Sequence, residues 1–235
     1  RPPHGDPFRY LYLTPGMSVS EHNYPFIVDN RNKRSLALNL GSPEGKKILL
    51  DLVARADIYI TNYQPQMQQR YGLNYEELSA HNPRLIYATV TGYGEQGEEA
   101  EKPGYDMTAY YARSGLMGSL HYADTDPATS PCGYGDHPTS MSLFSGILLA
   151  LMKRDKTGQG SKVSTTLMHN GVWSNASMVQ GALCGATPVP KWTRQTVPNP
   201  LVSHYVAGDG KRFIFCLLDP ARDWKKLCDA MERPD

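Results

Sequence analysis

Cysteine is scarce in the chain. Four occur among 235 residues, at Cys132, Cys184, Cys216 and Cys228, and no two of them form a CxxC pair. No histidine interleaves with them at the spacing of a zinc site. This pattern argues against a disulfide scaffold and against a cysteine-based metal site. It predicts reduced thiols in a cytoplasmic protein that holds no metal.

Excess charge and long apolar runs are also missing. Lys plus Arg number 24 and Asp plus Glu number 23, a formal net charge of +1. This balance argues against nucleic acid or a membrane surface as the partner, although a small anionic ligand needs only a local cationic cluster. No stretch approaches the roughly 18 apolar residues that a membrane-spanning helix needs.

What the sequence does contain is a regular alternation of strand and helix patterns. Short β-branched or alternating runs predict strands, and Ser42-Pro43 has the cap and first-turn proline of a helix start. Such alternation is typical of an α/β fold with a Rossmann-like parallel sheet and flanking helices. The predicted strands are 35–40, 57–61, 85–91 and 162–166; the predicted helices follow Ser42 and cover 66–70, 74–81, 106–114, 138–154 and a segment that ends near 183.

The predicted helix over 138–154 carries an apolar stripe. A stripe of this kind is the face that an amphipathic helix buries. Its members are Met141, Phe144, Leu148 and Leu151, with Ile147 and Met152 beside them.

The texture of the chain changes after residue 183. Residues 184–200 contain four prolines and resemble a linker. Beyond them, Gly208-Asp209-Gly210 separates two short apolar runs, which predicts a hairpin, and a helix is expected over 221–231. We therefore expect a large α/β domain over 1–183, a linker over 184–200 and the start of a smaller α+β domain over 201–235. Arg1 in place of an initiator Met, and an end just past a helix, predict a chain truncated at both ends.

One glycine pattern, Gly92-Tyr93-Gly94-Glu95-Gln96-Gly97, matches the GxGxxG motif of dinucleotide-binding folds. That motif must open a helix whose free amides meet a pyrophosphate. Here it is followed by Glu98, Glu99, Glu101 and then Pro103, and carboxylates would repel a pyrophosphate. We therefore predict a glycine-rich surface loop, or in its functional version a lid over a pocket.

Four polar residues have both a structural and a functional interpretation. Asp136 enters the long helix, where it could be an N-cap or first-turn acid, or a carboxylate nucleophile kept ionised by the helix N-terminus. Arg70 lies a few residues after Asn62-Tyr63-Gln64, which follows the end of a predicted strand, and it could be solvated or could meet a phosphate. Spacing leaves these alternatives open, and for His137 and His169 it favours a structural role.

An ordered set of short segments resembles the family III CoA-transferases, the group that contains formyl-CoA transferase, carnitine CoA-transferase and the α-methylacyl-CoA racemases. The set covers most of residues 1–180. Its segments are 30–35, 42–46, 56–63, 82–86, 91–94, Pro103-Gly104-Tyr105-Asp106, Gly135-Asp136 and Lys156-Thr157-Gly158-Gln159-Gly160.

The resemblance implies an enzyme that moves CoA from an acyl-CoA to a carboxylic acid. Asp136 would be the nucleophile, passing through a mixed anhydride and an aspartyl-CoA thioester. It further implies an interlocked homodimer, and a first domain that binds CoA and lacks its first βαβ unit. The implied CoA contacts are Leu38, Gly41, Asn62, Tyr63, Gln64, Arg70, Tyr105 and Asp106.

The resemblance also ranks the alternatives. Racemases have a histidine where this chain has Tyr105, and a phenol with an ordinary pKa near 10 is a poor base at neutral pH. A racemase is therefore the second expectation, and a non-catalytic acyl-CoA-binding protein is the third. Within the transferases, the 103–106 and 135–137 segments are most similar to enzymes acting on aromatic or branched 2-hydroxy acids such as phenyllactate.

Overall fold

The computed structural model describes residues 5–233. Helices and strands alternate through most of this range, as the sequence predicts. Short 3₁₀ helices cover Pro7–Leu13 and Arg194–Thr196, and a π-helix covers Asp106–Ala112. The α-helices are α1 (Tyr24–Asp29), α2 (Pro43–Val53), α3 (Pro65–Tyr71), α4 (Tyr75–His81), α5 (Leu116–Ser119), α6 (Asp136–Thr157), α7 (Leu167–Ser174), α8 (Ala176–Leu183) and α9 (Pro220–Ala230). The strands are β1 (Ile58–Thr61), β2 (Ile86–Thr91), β3 (Ser161–Thr166), β4 (His204–Val206) and β5 (Arg212–Ile214).

The main sheet has the order β1-β2-β3 and is parallel throughout. Its central strand is apolar and buried on both faces, as parallel strands between two helical layers usually are. Tyr87 packs with Val53, Leu78 and Leu85 on one side of the sheet. On the other side, Ile86 and Ala88 pack with apolar residues of α6. The α/β fold expected from the sequence is confirmed.

Local signals explain where several helices begin. The Ser42 hydroxyl accepts a hydrogen bond from the Gly45 amide at the start of α2, and Asn74 accepts one from Glu77 at the start of α4. Proline occupies the first position of both α2 and α3, where its missing N–H has no partner to lose. The start of α2 at Ser42-Pro43 is the one that the sequence predicts from its cap.

The strand predicted over 35–40 is wrong. Residues 33–39 have no regular secondary structure, and Leu36 is 62% exposed. A strand needs a neighbour for its backbone groups, and within residues 5–233 this segment forms no ladder with the main sheet. The alternating pattern was therefore insufficient to define a strand.

The buried face predicted for the long helix is right only in part: Ile147 and Leu151 pack against the sheet, whereas Met141, Phe144 and Leu148 are exposed. Helix α6 begins two residues earlier than expected and buries Leu143, Ile147 and Ala150 against the sheet. Of the expected stripe, Met141 is 60% exposed and Phe144 is 50% exposed. Both sides of this helix are apolar, so periodicity could not identify the side that faces the sheet. The exposed set is Met141, Phe144, Leu148, Leu149 and Met152.

The hairpin predicted around Gly208-Asp209-Gly210 is confirmed. Strands β4 and β5 pair antiparallel, and the Ala207 amide donates to the Lys211 carbonyl across the turn. The rings of Tyr205, Phe213 and Phe215 cluster beside it. Division of the chain at 184–200 stays a prediction. In residues 5–233, no helix combines the length and the apolar character needed to cross a bilayer.

A buried tyrosine joins α3 to the sheet. The Tyr87 hydroxyl lies 2.7 Å from Gln68 Oε1 and 2.8 Å from the carbonyl oxygen of Leu73, and it shares its proton between these acceptors. Burial raises the pKa of Tyr87, so the neutral donor persists. Since α3 also carries Arg70, this contact fixes a predicted CoA-binding element against the core.

Replacing Tyr87 by Phe should therefore destabilise the protein without changing its shape. Two buried acceptors would lose their donor, which costs about 1–3 kcal/mol of unfolding free energy. Urea denaturation measures the loss, with the half-buried Tyr12→Phe as a matched control. An unchanged denaturation midpoint for Tyr87→Phe would show that the hydroxyl contributes nothing.

Candidate active site

Polar residues gather where the parallel strands end. Asn62 follows β1, Gly92 follows β2, and α7 follows β3 directly. Because the three strands are parallel, these ends lie along one edge of the sheet, the edge at which α/β folds bind ligands. Two groups of candidate residues are found here.

The first group lines a cavity of about 510 Å³ between α2 and α3. The structure brings Gly41 and Arg70, both predicted CoA contacts, to this cavity. Leu38 is half-buried in the unpaired segment that leads to it. The guanidinium of Arg70 lies 5.8 Å from the centre of the Tyr71 ring. The lining is Leu40, Gly41, Ser42, Pro43, Lys46, Arg70 and Tyr71.

Sequence reasoning missed Lys46. It lies in the first turns of α2, lines the same cavity as Arg70, and has its ammonium 3.8 Å from Glu77 Oε2. A cation near a helix N-terminus is disfavoured by the helix dipole. That local conflict was the available signal for a functional lysine, and two cations now face one cavity.

The predicted loop Asn62-Tyr63-Gln64 lies next to this cavity. The Tyr63 ring is 6.3 Å from the Tyr71 ring, centre to centre, and the Tyr63 carbonyl accepts a hydrogen bond of 2.6 Å from the Gln68 side chain. Asn62 is exposed. Apart from Tyr105 and Asp106, the predicted CoA contacts are therefore brought to one region.

The glycine-rich segment after β2 opens no helix, so it lacks the helix N-terminus on which a dinucleotide motif depends. Instead it is held in place by its acids. Glu101 accepts a hydrogen bond of 3.2 Å from the Gln66 amide, and its carbonyl accepts one from the Gln64 side chain. Glu99 pairs with Arg113, just beyond the π-helix. This segment therefore connects the cavity to the second group of residues.

The second group begins at the π-helix. Tyr105 is its N-cap residue and is 71% exposed, and Asp106 is its first residue. Asp106 Oδ1 accepts a hydrogen bond from the Met107 amide, whereas Oδ2 is buried and has no partner among residues 5–233. Single π-turns frequently occur at functional sites, and an unpaired buried oxygen indicates a place where a ligand could bind.

Asp136 is the first residue of α6, and Gly135 is the N-cap, without a side-chain cap. The residue is solvent-accessible. Position 135 requires glycine because the backbone there lies close to Tyr110: a Cβ would come within 2.5 Å of Cβ and Cγ of that residue. Asp136 is therefore a first-turn acid that is not the residue capping α6.

The electrostatics around Asp136 differ from the expectation. Crowding by neighbouring protein atoms raises the pKa of its carboxyl even though the residue is solvent-accessible, and the nearby Asp106 and Asp29 raise it further, while His137 lowers it. The helix N-terminus alone would have stabilised the anion. Desolvation and two like charges outweigh it, so this carboxylate is less stabilised than an ordinary one.

Two neighbours complete the group. His137 Nε2 lies 3.3 Å from Asp29 Oδ1, at the end of α1. Partial desolvation raises the pKa of the Cys132 thiol, and the carboxylates of Asp106, Asp136 and Asp29 raise it further. In the described part of the chain, no three His, Cys, Asp or Glu side chains are placed to hold a metal ion.

Comparison with known proteins assigns the family. The model of "CoA-transferase family III" matches residues 1–235. The chain is 39% identical to the cinnamoyl-CoA:phenyllactate CoA-transferase of Clostridium sporogenes over 99% of its own length and 57% of that protein's. It is 34% identical to the (R)-2-hydroxy-4-methylpentanoate CoA-transferase of Clostridioides difficile, over 99% and 58%.

A crystal structure of a CAIB/BAIF family protein from Brucella suis is also similar, with a TM-score of 0.77 at 29% identity over 90% of this chain and 55% of that one. The chain thus spans less than two thirds of the length of each of these relatives. On the match of the family model and these relatives, the chain belongs to CoA-transferase family III.

Proposed function

We propose that the full-length protein moves coenzyme A from an acyl-CoA donor to a carboxylic acid acceptor, with Asp136 as the covalent nucleophile. The observation that carries this proposal is the position of Asp136. Its carboxylate is accessible at the start of α6 and is crowded by Asp106, which leaves the anion poorly stabilised. Such an anion gains more than an ordinary carboxylate when it forms a neutral acyl bond.

The reaction divides into acyl transfers. An Asp136 oxygen attacks the thioester carbonyl, the carbon–sulfur bond breaks, and CoA leaves as the thiolate. The thiolate then attacks the Asp136 carbonyl of the mixed anhydride, which releases the donor acid as a carboxylate and leaves an aspartyl-CoA thioester. The acceptor carboxylate attacks this thioester, and the same steps in reverse give the new acyl-CoA and free Asp136.

CoA itself would be held on the cavity side of the site. Arg70 and Lys46 supply the positive charge for its phosphates, and Leu38, Gly41 and the loop Asn62-Tyr63-Gln64 supply the surrounding contacts. Tyr105 and Asp106 would meet the thioester end, near Asp136. In this assignment, the segment that contains Glu101 connects the phosphate end of the site to the thioester end.

The acids that exchange CoA would be aromatic or branched 2-hydroxy acids and their unsaturated partners. Tyr134, two residues before Asp136, is 43% exposed and packs edge-to-face on Tyr110 and Tyr111 with ring centres 5.9 Å apart. An aromatic surface beside the nucleophile suits a flat acyl group. The names of the two Clostridium and Clostridioides relatives favour the same class.

We further infer a cytoplasmic homodimer. All four cysteines are free thiols, as expected in a reducing compartment. The exposed apolar face of α6, defined by Met141, Phe144, Leu148, Leu149 and Met152, exceeds what a solvent-facing helix normally presents. A second subunit of the intact enzyme would cover it.

Mass spectrometry of the full-length protein tests the chemistry. After incubation with cinnamoyl-CoA or a branched 2-hydroxyacyl-CoA, trapping with hydroxylamine should convert Asp136 to a hydroxamate, since hydroxylamine attacks anhydrides and thioesters. Omission of the acyl-CoA is the control. An adduct on Asp106 would contradict the assignment. Absence of any adduct with intact CoA binding would indicate an acyl-CoA-binding protein, and α-proton exchange into D₂O would indicate a racemase.

A further inference from the structure

The largely exposed ring of His137 has two defined neighbours, Gly133 and Asp29. Its ring lies against Gly133, where a Cβ would come within 2.9 Å of His137 Cε1. Gly133 also has a φ of +74°, a backbone conformation that residues with side chains rarely adopt. The loop before α6 is therefore shaped to admit this ring directly beside Asp136.

Asp29 holds the ring from the opposite side. Its Oδ1 lies 3.3 Å from His137 Nε2, and its carbonyl oxygen accepts a hydrogen bond of 2.6 Å from Lys33 Nζ. The contact therefore sets the ring between the end of α1 and the start of α6. It connects α1, far from α6 in the sequence, to the residue that follows the proposed nucleophile.

Several charged groups lie around the contact between His137 and Asp29. Asp29 from α1, Asp106 from the π-helix and Asp136 from α6 are three carboxylates that interact with one another or with Cys132. Among the described side chains near Asp136, His137 lowers the pKa of its carboxyl, whereas Asp106 and Asp29 raise it. Loss of His137 would therefore raise this pKa further.

We propose that His137, held by Asp29, is a positioning residue whose protonated form, beside Asp136, favours the anionic and nucleophilic form of that carboxyl group. This inference rests on the proposed function, because it assigns a partner to the same nucleophile. Sequence reasoning had favoured a structural role for His137. The contact with Asp29, which no sequence pattern indicates, is the observation that changes this interpretation.

The test compares pH profiles of kcat/KM in the full-length enzyme. In His137→Gln the side chain can still hydrogen-bond to Asp29 but carries no charge. Loss of a nearby cation raises the pKa of a carboxyl, so the acidic limb of the profile should move upward by about half a pH unit or more. Activity below the limb should fall about threefold or more, with little change at alkaline pH.

Two variants make the outcome specific. His137→Lys restores the charge and should return the limb towards the wild-type position, and His81→Gln, an exposed histidine at the end of α4, should leave it in place. A limb that does not move in His137→Gln, or that fails to return in His137→Lys, would overturn the proposal.

A second measurement separates this inference from the proposed function. Carboxyl-carbon NMR of aspartate-labelled protein reports the titration of Asp136 without turnover. An upward shift of that titration in His137→Gln supports the role of His137 even if Asp136→Asn proves active and the nucleophile is another residue. An unshifted titration contradicts the inference even if Asp136 is the nucleophile.

Discussion

Asp136→Asn should reduce CoA exchange by at least about a thousandfold, a loss typical of removing a covalent nucleophile. Asparagine preserves the shape and hydrogen-bonding ability of the residue but cannot form the anhydride. If Asp136 only stabilised the start of α6, asparagine would serve nearly as well and activity would survive. Exchange of labelled acid into acyl-CoA distinguishes the two.

The second part of this prediction concerns the thermal stability of Asp136→Asn. The pKa of Asp136 is raised in the folded protein, so its ionised form is destabilising once the pH rises above the pKa of the unfolded chain. At neutral pH, asparagine removes that penalty but also loses a favourable interaction with the helix N-terminus. We therefore expect Tm to stay within about 4 °C of wild type or to rise.

A control on the same helix makes the comparison matched. Asp155→Asn changes an exposed carboxylate near the other end of α6 and should leave exchange intact. Equal losses of activity in Asp136→Asn and Asp155→Asn, or a large drop in Tm in the former, would indicate disruption of the helix and not loss of a nucleophile.

Arg70→Ala should weaken CoA binding about ten- to a hundredfold. A charge-assisted contact with a phosphate contributes roughly 1.5–3 kcal/mol. Arg70 shares its cavity with Lys46, so Lys46→Ala should weaken binding too, and the double variant should be non-additive if both cations meet one phosphate group. Isothermal titration calorimetry with CoA measures each affinity.

Two exposed cations that do not line the cavity serve as controls. Lys47 lies on α2 and Arg55 lies just after its C-terminal end, and Lys47→Ala and Arg55→Ala should leave the affinity unchanged. If Arg70→Ala binds CoA as tightly as Arg55→Ala does, Arg70 lies outside the site. Affinity that is insensitive to added salt would also contradict a phosphate contact.

The elements that the sequence predicted correctly are those whose signals are local. Ser42-Pro43 and Asn74 place helix starts through their own hydrogen bonds, and the apolar run of β2 is buried because it is central. The 35–40 segment failed because a strand depends on a partner that no local pattern provides. The buried face of α6 was predicted only in part, because both of its sides are apolar and only the packing against β2 and β3 selects one.

In the candidate site, too, local features could be predicted and contacts between distant segments could not. Arg70 lies just after a strand-end loop and Asp136 lies at a helix start, so each could be predicted as a candidate site residue from the sequence. The approach of Asp29 to His137 depends on where the end of α1 lies relative to α6, and the approach of Asp106 to Asp136 depends on the path of a long loop. Such contacts join distant segments, and spacing carries no information about them.

The contact between Gly135 and Tyr110 has a consequence for evolution. Any residue larger than glycine at position 135 must displace an aromatic ring that itself supports Tyr134, so single substitutions there are blocked. Among related sequences, position 135 should change only in lineages where position 110 has already become small. A homologue that keeps the aspartate but carries a bulky residue at both positions would have a rebuilt loop before α6, and its substrates should not be inferred from those proposed here.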